Sequence, residues 1–225
     1  VATYLEKEGW GKAEDVFALT GTPAKLQNDA TGARAWWGES KLLTDKPRNV
    51  SIEGYLAPDT YQVFADATLT DILGKLIDER EKQFTGEMYA AIVRAKRTPH
   101  EILTMASFVE MEVRRPEDRT KVADIFWRRV DAGWGLQADS SVHYVVGKSG
   151  SVFTTAADRA TNNPWNTYKY AGLPPGPIAN PSLGSIQAAI TPELNDFWYF
   201  LTDLEGSVHY AKDLDEHNRN RAKYL

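Results

Sequence analysis

The sequence predicts an α+β protein that is rich in helix and carries one small sheet. Apolar residues recur every three to four positions across residues 70–95, a spacing typical of helices. A further helix is marked by a capping box that joins Thr98 to Glu101, with Pro99 at the first helical position. Closer to the C-terminus, residues 197–201 and 208–211 look like the two arms of a β-hairpin. Helices should therefore outnumber strands.

The bulk composition is that of an ordinary folded domain and excludes several chemistries. Hydrophobic residues make up 42% of the 225 residues and charged residues 25%. The net charge of −5 argues against a surface that follows the phosphates of a nucleic acid, so we expect no nucleic-acid partner. The chain has no cysteine, which removes disulfides, thiol nucleophiles and cysteine-bound zinc.

The chain divides at a polar run around Pro47, where a regular element should be broken. Residues 1–49 read as short polar helices with too few apolar residues for a core of their own, and we expect them to form part of an accessory subdomain. Residues 50–225 should form the larger domain. No window approaches the length of about 18 apolar residues that a membrane-spanning helix needs.

Further helices are predicted downstream of the capping box. One should begin at Pro116 and stop at Gly133, and a short one should begin with Asp139 or Ser140 as its cap and run to Gly147. Residues 173–181 contain too many prolines for a helix or a central strand, so they predict a stiff loop. Asn180 should then cap a helix that starts at the following proline.

The first candidate for chemistry is Glu110. On a helical wheel this residue falls inside the apolar arc of the helix that follows Thr98, whereas Glu112 lies at the opposite edge. Apolar surroundings would raise the pKa of a carboxyl group and suit it to act as a general acid. The wheel alone favours a plainer alternative, in which Glu110 reaches solvent or pairs with an arginine such as Arg114.

Other catalytic patterns are missing. The histidines show none of the spacings of a zinc site, and the string that ends in Lys148 and Ser149 has valine at 142 where a phosphate-binding loop needs glycine. No G-x-S-x-G elbow of a serine hydrolase is present. We therefore expect neither a metal nor a cofactor.

Aromatic residues offer a weaker hint. Seven tryptophans and ten tyrosines are many for this length, and some lie among polar or proline-rich residues, namely Tyr55, Tyr61, Trp165 and Tyr168. Aromatic faces beside amides and carboxylates suit sugar rings, although most of the seventeen should simply be core residues.

Four segments in this order resemble one family, the YceG-like endolytic murein transglycosylases. They are EGYLAPDTY at 53–61, MASFVEME at 105–112, LQADSSV at 136–142, and NTY at 166–168 with GLPPGPIANP at 172–181. The resemblance covers roughly residues 50–225 and is weaker upstream. Ser140 and Ala57 replace the proline and phenylalanine that are usual in the family, and neither replacement removes a titratable group.

The resemblance implies an activity and a set of residues. The catalytic residue would be Glu110, and the residues that support it or bind substrate would be Gln137, Asp139, Glu112, Tyr61, Asn166, Tyr168 and Asn180. The substrate would be the glycan strand of peptidoglycan. The family also implies a LysM-like subdomain and a single N-terminal anchor in the inner membrane, absent from these residues, with the catalytic part on the periplasmic side. A contact with cell-wall synthases is a further expectation.

The mechanism expected from this resemblance needs one carboxyl group. Glu110 would protonate the oxygen of the glycosidic bond and then, as a base, activate the C6 hydroxyl of the muramic sugar, which closes a 1,6-anhydro ring. Two alternatives stay open. A hydrolytic muramidase would need a second carboxylate such as Asp139 or Glu112. A peptidoglycan-binding module without activity would leave Glu110 paired and exposed.

Overall fold

The computed structural model describes residues 1–27, 40–147 and 154–225. Lys148 and Ser149 of the loop-like string discussed above lie outside the described residues. The helices and strands are α1 Ala2–Lys7, α2 Ala13–Thr20, α3 Leu69–Gln83, α4 Gly86–Arg94, α5 Pro99–Glu112, α6 Arg119–Asp131, α7 Asp139–Val146, α8 Ala156–Arg159, α9 Leu183–Ile190, β1 Tyr199–Thr202, β2 Val208–Ala211 and α10 Leu214–Tyr224. The predicted helix-rich α+β class is confirmed.

Helix α5 is the centre of the fold. The Thr98 hydroxyl accepts a hydrogen bond from the Glu101 amide, and the Glu101 carboxylate accepts one from the Thr98 amide, so the predicted capping box is present. The helix is buried on all sides from residue 102 to residue 109, rather than along one arc, because it packs against α4, α6, α7 and α9. Its last turn therefore brings Glu110 and Glu112 to the junctions with these neighbouring helices.

The predicted helical pattern of residues 70–95 forms two helices rather than one. Helix α3 ends before Phe84, and Thr85 then caps α4 by accepting a hydrogen bond from the amide of Met88 at 3.2 Å. The threonine side chain competes for backbone donors and so favours a new helix start over continuation. The apolar spacing carries across the break and does not reveal it.

Two other predicted helix starts are shifted. Pro116 begins a 3-10 turn that leads into α6, and α6 ends before Gly133, whose φ is +71°. Asp139 is the first residue of α7 rather than its cap, because the extended residue before the helix is Ala138. Helix α7 ends at Val146, and Gly147 after it adopts the left-handed conformation that stops the helix, as the sequence predicts.

The predicted hairpin is present. Strands β1 and β2 pair antiparallel with Tyr199 opposite Ala211, and the turn closes through hydrogen bonds between Asp203 and Ser207. Phe200 packs edge-on against Phe126 of α6, with ring centroids 5.4 Å apart. The hairpin therefore contacts α6, and α10 packs on the hairpin.

The N-terminal helices join the same hydrophobic cluster as the rest of the described chain. Leu5 of α1, Val16 of α2 and Leu42, which lies in a short 3-10 turn, are all buried in it. The division into residues 1–49 and 50–225, and the relation of the first part to LysM, stay predictions. No helix among the described residues is long and apolar enough to cross a membrane.

Asn180 does not cap α9 as predicted, because its side chain has other partners. Its Oδ1 accepts hydrogen bonds from the amides of Gly54 at 2.8 Å and Leu56 at 3.2 Å. Ser182, two residues later, has the extended backbone of an N-cap and accepts from the Ser185 amide at 3.4 Å. The proline-rich loop is thus fastened to the segment at 54–56 before α9 begins.

Arg80 of α3 reinforces this attachment. Its side chain is completely buried, and Nη2 donates to the carbonyl oxygens of Leu56 at 3.2 Å and Pro181 at 2.6 Å. Buried carbonyl groups need such partners, since leaving one unsatisfied costs about 1–3 kcal/mol. Asn180 and Arg80 together therefore fix the approach to the N-terminus of α9.

Gly54 should be essential for this arrangement, whereas Gly74 in α3 offers a matched control. A Cβ atom on Gly54 would lie 2.4 Å from Cγ of Pro177, and the φ of +89° disfavours any other residue; a Cβ on Gly74 would meet nothing within 4 Å. Gly54→Ala should lower the free energy of unfolding in urea by about 2 kcal/mol or more. Gly74→Ala should raise it by about 0.5–1 kcal/mol. Equal effects would contradict this account of the loop.

Candidate active site

Glu110 meets the N-terminal end of α9. Its Oε2 accepts hydrogen bonds from the Ser182 amide at 3.1 Å, the Ser182 hydroxyl at 2.6 Å and the Ser185 hydroxyl at 2.7 Å. Anionic side chains are stabilised at helix N-termini, where unpaired amides and the helix dipole favour negative charge. The side chain of Glu110 is still 27% exposed, so the carboxyl group is both anchored and reachable.

Two arginines surround this carboxyl group. Nη2 of Arg119, the first residue of α6, lies 3.8 Å from Oε1 of Glu110, and Nη1 donates to the Ser182 hydroxyl at 3.0 Å. The buried guanidinium of Arg80 is close enough to interact electrostatically with Glu110. The pairing with Arg114 considered from the sequence is thus replaced by Arg119, because α6 packs beside α5.

The expected rise in the pKa of Glu110 is wrong. Burial alone would raise the pKa, but the hydrogen bonds from Ser182 and Ser185 and the charge of Arg119 outweigh it and hold the pKa below the ordinary value of 4.5. The wheel placed the carboxyl group among apolar side chains of its own helix. It could not show the polar end of α9, which lies about 70 residues further along the chain.

Glu112 has a different environment although it belongs to the same turn of α5. Its Oε1 accepts from the Ser140 amide at 3.2 Å and the Ser140 hydroxyl at 2.6 Å, at the start of α7. Burial raises the pKa of Glu112, the Ser140 hydrogen bonds oppose this, and the charge of Asp139 adds to the rise. Two carboxyl groups on one helix turn therefore have pKa values displaced in opposite directions.

Asp139 and Tyr168 form a cluster beside Glu112. Oδ1 of Asp139 accepts from the Tyr168 hydroxyl and from the Thr154 hydroxyl, each at 2.7 Å. Burial, the hydrogen bond to Asp139 and its charge raise the pKa of Tyr168, so this phenol stays protonated. Three of the predicted site residues thus lie together at the N-terminus of α7.

Asn166 stands behind this cluster rather than in it. Its side chain is completely buried, and Nδ2 donates to the carbonyl oxygens of Arg159 at 2.9 Å and Thr161 at 2.8 Å. Its Oδ1 accepts from the Tyr168 amide at 3.1 Å. Asn166 therefore fixes the loop that presents Tyr168 and has no surface to offer a substrate.

Gln137 and Tyr61 differ in what they can reach. Gln137 is exposed and has a φ of +53°, and its amide donates to the Thr167 carbonyl at 3.2 Å. A residue other than glycine in this conformation is uncommon and is often found at functional sites. Tyr61 instead donates its hydroxyl to the Ala57 carbonyl at 2.8 Å, and burial followed by the charge of Asp59 raises its pKa to about 12.

The aromatic residues singled out in the sequence are mostly structural. Tyr55 is completely buried and its hydroxyl lies 2.8 Å from Nδ1 of His100, while Trp165 is 1% exposed and donates to the Gly176 carbonyl. These two cannot stack on a sugar. Trp134, which the sequence did not single out, is 45% exposed and packs against Trp198 with ring centroids 5.0 Å apart.

Three residues of the site were missed in the sequence: Ser182, Ser185 and Arg119. A serine followed by another serine three positions later, directly after a proline-rich loop, is a signal for a capped helix start. That signal could have located the N-terminus of α9. It could not have shown which carboxylate it receives. Among the described residues, no three or more His, Cys, Asp or Glu side chains are grouped so that they could hold a metal ion.

Glu110 and Glu112 should give the free energy of unfolding opposite dependences on pH. The lowered pKa of Glu110 stabilises the folded state above pH 4.5, and this contribution is lost as the pH falls through the pKa of the folded state. The raised pKa of Glu112 stabilises the folded state below pH 4.5, and this contribution is lost as the pH rises through the pKa of the folded state.

Urea denaturation of the wild type, Glu110→Gln and Glu112→Gln between about pH 3 and pH 7 measures both contributions. As the pH rises, the free energy of unfolding of the wild type should increase relative to that of Glu110→Gln. Over the same range, the free energy of unfolding of the wild type should decrease relative to that of Glu112→Gln. Differences that follow the same slope would show that the two environments are not distinct.

The chain is similar to several known proteins. It is 35% identical over 193 residues to an endolytic murein transglycosylase of Streptococcus pneumoniae, which covers 83% of this chain and 35% of the relative. It is 37% identical over 175 residues to an endolytic murein transglycosylase of Bacillus subtilis, which covers 77% of this chain and 48% of the relative. The chain thus spans less than half the length of these relatives.

A solved structure and a family model agree with these similarities. The fold matches the crystal structure of a yceG-like protein from Listeria monocytogenes with a TM-score of 0.80 and 30% identity, over 96% of this chain and 70% of that one. The model of the YceG-like family matches residues 1–223, which extends the sequence resemblance to the N-terminal helices. With nearly its whole length matched, the chain belongs to the YceG-like family.

Proposed function

We propose that this chain is the catalytic part of a lytic transglycosylase that cuts peptidoglycan glycan strands internally, between N-acetylmuramic acid and N-acetylglucosamine. The observation that carries the proposal is the anchored but reachable carboxyl group of Glu110, where α5, α6 and α9 meet. Relatives at 35–37% identity are named endolytic murein transglycosylases. The sequence resemblance to the same family implies that this glutamate is the catalytic residue.

The proposed reaction uses Glu110 twice. In the first half, its protonated carboxyl group gives a proton to the glycosidic oxygen as the bond from that oxygen to C1 of the muramic sugar breaks. In the second half, its carboxylate takes the proton of the C6 hydroxyl of the same sugar as that oxygen bonds to C1. The carboxyl group ends protonated again, no water is consumed, and the product carries a 1,6-anhydro end.

Binding of the strand has to supply the acid form of Glu110. In the free chain the hydrogen bonds favour the carboxylate, although burial already opposes it. A strand that covers the exposed 27% of the side chain would remove the remaining water and so favour the neutral form further. Whether Glu110 can act first as the acid and then as the base thus depends on how much water the bound strand excludes.

The geometry gives less support to hydrolysis. A muramidase would need a second carboxylate that activates water. Glu112 lies two positions from Glu110, a spacing at which helical side chains do not face each other, and its carboxyl group is bound to Ser140. Asp139 is bound to Tyr168 and Thr154. Intramolecular attack by the C6 hydroxyl needs no such second group and benefits from a high effective concentration.

A binding module without activity is also less well supported. That alternative requires a Glu110 that is exposed and paired as an ordinary surface ion pair. The side chain is instead mostly buried, its short hydrogen bonds come from neutral donors, and Arg119 is 3.8 Å away. A mostly buried carboxyl group with a displaced pKa is more typical of a catalytic site than of a surface ion pair.

The other predicted residues receive different roles in this proposal. Gln137, which is exposed, would contact the strand, and Glu112, Asp139 and Tyr168 would shape the neighbouring wall of the site. Asn166, Asn180 and Tyr61 would act through the loops that they fasten.

The setting of the whole protein is also proposed rather than visible in this chain. Because peptidoglycan lies outside the cytoplasmic membrane, the catalytic part would work on the extracytoplasmic side. A single N-terminal anchor in the longer protein would hold it at the membrane, where cell-wall synthases could be partners.

Glu110→Gln should abolish cleavage of purified glycan strands and leave the fold intact, because the amide keeps the shape and an acceptor oxygen but cannot exchange the proton. Mass spectrometry of the products measures this: wild-type products should be lighter by one water than reducing-end products. Glu101→Gln is the control and should cleave as the wild type does. Glu101 lies at the opposite end of the same helix, where its side chain accepts the capping hydrogen bond from the Thr98 amide. Turnover by Glu110→Gln, or reducing ends from the wild type, would contradict the proposal.

A further inference from the structure

We propose that Ser182 and Ser185 are positioning residues, which hold Oε2 of Glu110 so that Oε1 is the oxygen that exchanges the proton with the glycan strand. The inference deepens the proposed function and rests on it for its chemical meaning. Its structural part, the unequal roles of the two carboxylate oxygens, concerns the free protein and can be tested without a substrate.

The three hydrogen bonds to Glu110 all end on the same oxygen. The Ser182 amide, the Ser182 hydroxyl and the Ser185 hydroxyl donate to Oε2 at 3.1, 2.6 and 2.7 Å. A carboxylate has about four acceptor sites, roughly two for each oxygen, so three donors occupy Oε2 completely. A proton could bind there only by displacing one of them.

The direction of the Ser182 hydrogen bond is fixed by its own partners. Its Oγ accepts from Nη1 of Arg119 at 3.0 Å and from the Ser185 amide at 3.4 Å. With both acceptor positions used, the hydroxyl proton is left to point at Oε2 of Glu110. Arg119 therefore acts on the carboxylate through Ser182 as well as through its own charge.

Oε1 is the free oxygen. Within the described part of the chain it accepts no hydrogen bond, and the nearest charged partner is Nη2 of Arg119 at 3.8 Å, beyond hydrogen-bond distance. The same carboxyl group is still partly exposed. Protonation of Oε1 costs no existing hydrogen bond, so this is the oxygen where the acid form would carry its proton.

Ser185 is the better of the two serines for a test. Its side chain is completely buried, and its hydroxyl donates a hydrogen bond to Oε2 of Glu110. Ser182 is also the N-cap of α9, so Ser182→Ala removes a cap together with the contact to Glu110. Thr85→Ala, which removes the exposed N-cap of α4, is the matched control for loss of a cap alone. Ser182→Thr keeps both the cap and the donor.

The first experiment measures the titration of Glu110 without substrate. The free energy of unfolding is measured against pH for five proteins, namely the wild type, Ser185→Ala, Ser182→Ala, Ser182→Thr and Thr85→Ala. Each is compared with the same protein carrying Glu110→Gln in addition. The pH at which the two curves separate should move up toward the ordinary range of glutamate with each serine-to-alanine change. It should stay in place with Ser182→Thr and Thr85→Ala. One common midpoint in all backgrounds would overturn the inference.

The second experiment measures cleavage of glycan strands against pH. Because the reaction starts from protonated Glu110, kcat/KM should fall as the pH rises through the pKa of the free protein. In Ser185→Ala this descending limb should move to higher pH, and kcat at the optimum should fall about tenfold or more through lost orientation. A lower kcat without a displaced limb would reduce the serines to a structural role and overturn the inference.

The two experiments separate the two claims. If the serine-to-alanine changes shift the titration of Glu110 but the wild type leaves glycan strands intact, the positioning of Oε2 is upheld and the proposed function is contradicted. Cleavage by the wild type with a titration that neither serine affects would do the reverse.

Discussion

The arrangement of this site depends on one oxygen atom, Oε2 of Glu110, which receives the three donors at the start of α9. A carboxylate can be placed in a mostly buried position only if hydrogen bonds replace the water it loses. Those donors come from a helix whose start is fixed by Asn180 and Arg80 through the preceding loop. The proline-rich loop thus positions Ser182 and Ser185, the hydrogen-bond donors of the Glu110 carboxylate.

The same principle separates two neighbouring carboxyl groups. Glu110 meets a set of donors strong enough to outweigh burial, whereas Glu112 meets Ser140 and the negative charge of Asp139 and is dominated by burial. Each carboxyl group contacts the N-terminus of a neighbouring helix, α9 for Glu110 and α7 for Glu112, so proximity to a helix end does not by itself decide the pKa. The number of hydrogen bonds and the sign of the next charge decide it.

Local signals in the sequence predicted the elements well and their partners poorly. The capping box at Thr98, the stop at Gly147 and the hairpin are confirmed because they depend on residues close in sequence. The predictions of a cap at Asn180 and of a raised pKa for Glu110 are wrong, because both side chains accept hydrogen bonds from segments about 70 to 126 residues away. Pattern reading could nominate Glu110, and the family resemblance was needed to favour it over a plain surface glutamate.

The most direct measurement is a titration of the Glu110 carboxyl carbon by NMR, with the signal assigned by its absence in Glu110→Gln. In the free protein the midpoint should lie below 4.5, the ordinary value for glutamate. When an uncleaved glycan oligomer is bound, the midpoint should rise as water is excluded. A midpoint above 4.5 in the free protein would mean that burial outweighs the three donors. That result would contradict the account, because Oε2 would then not be the anchored oxygen on which the site depends.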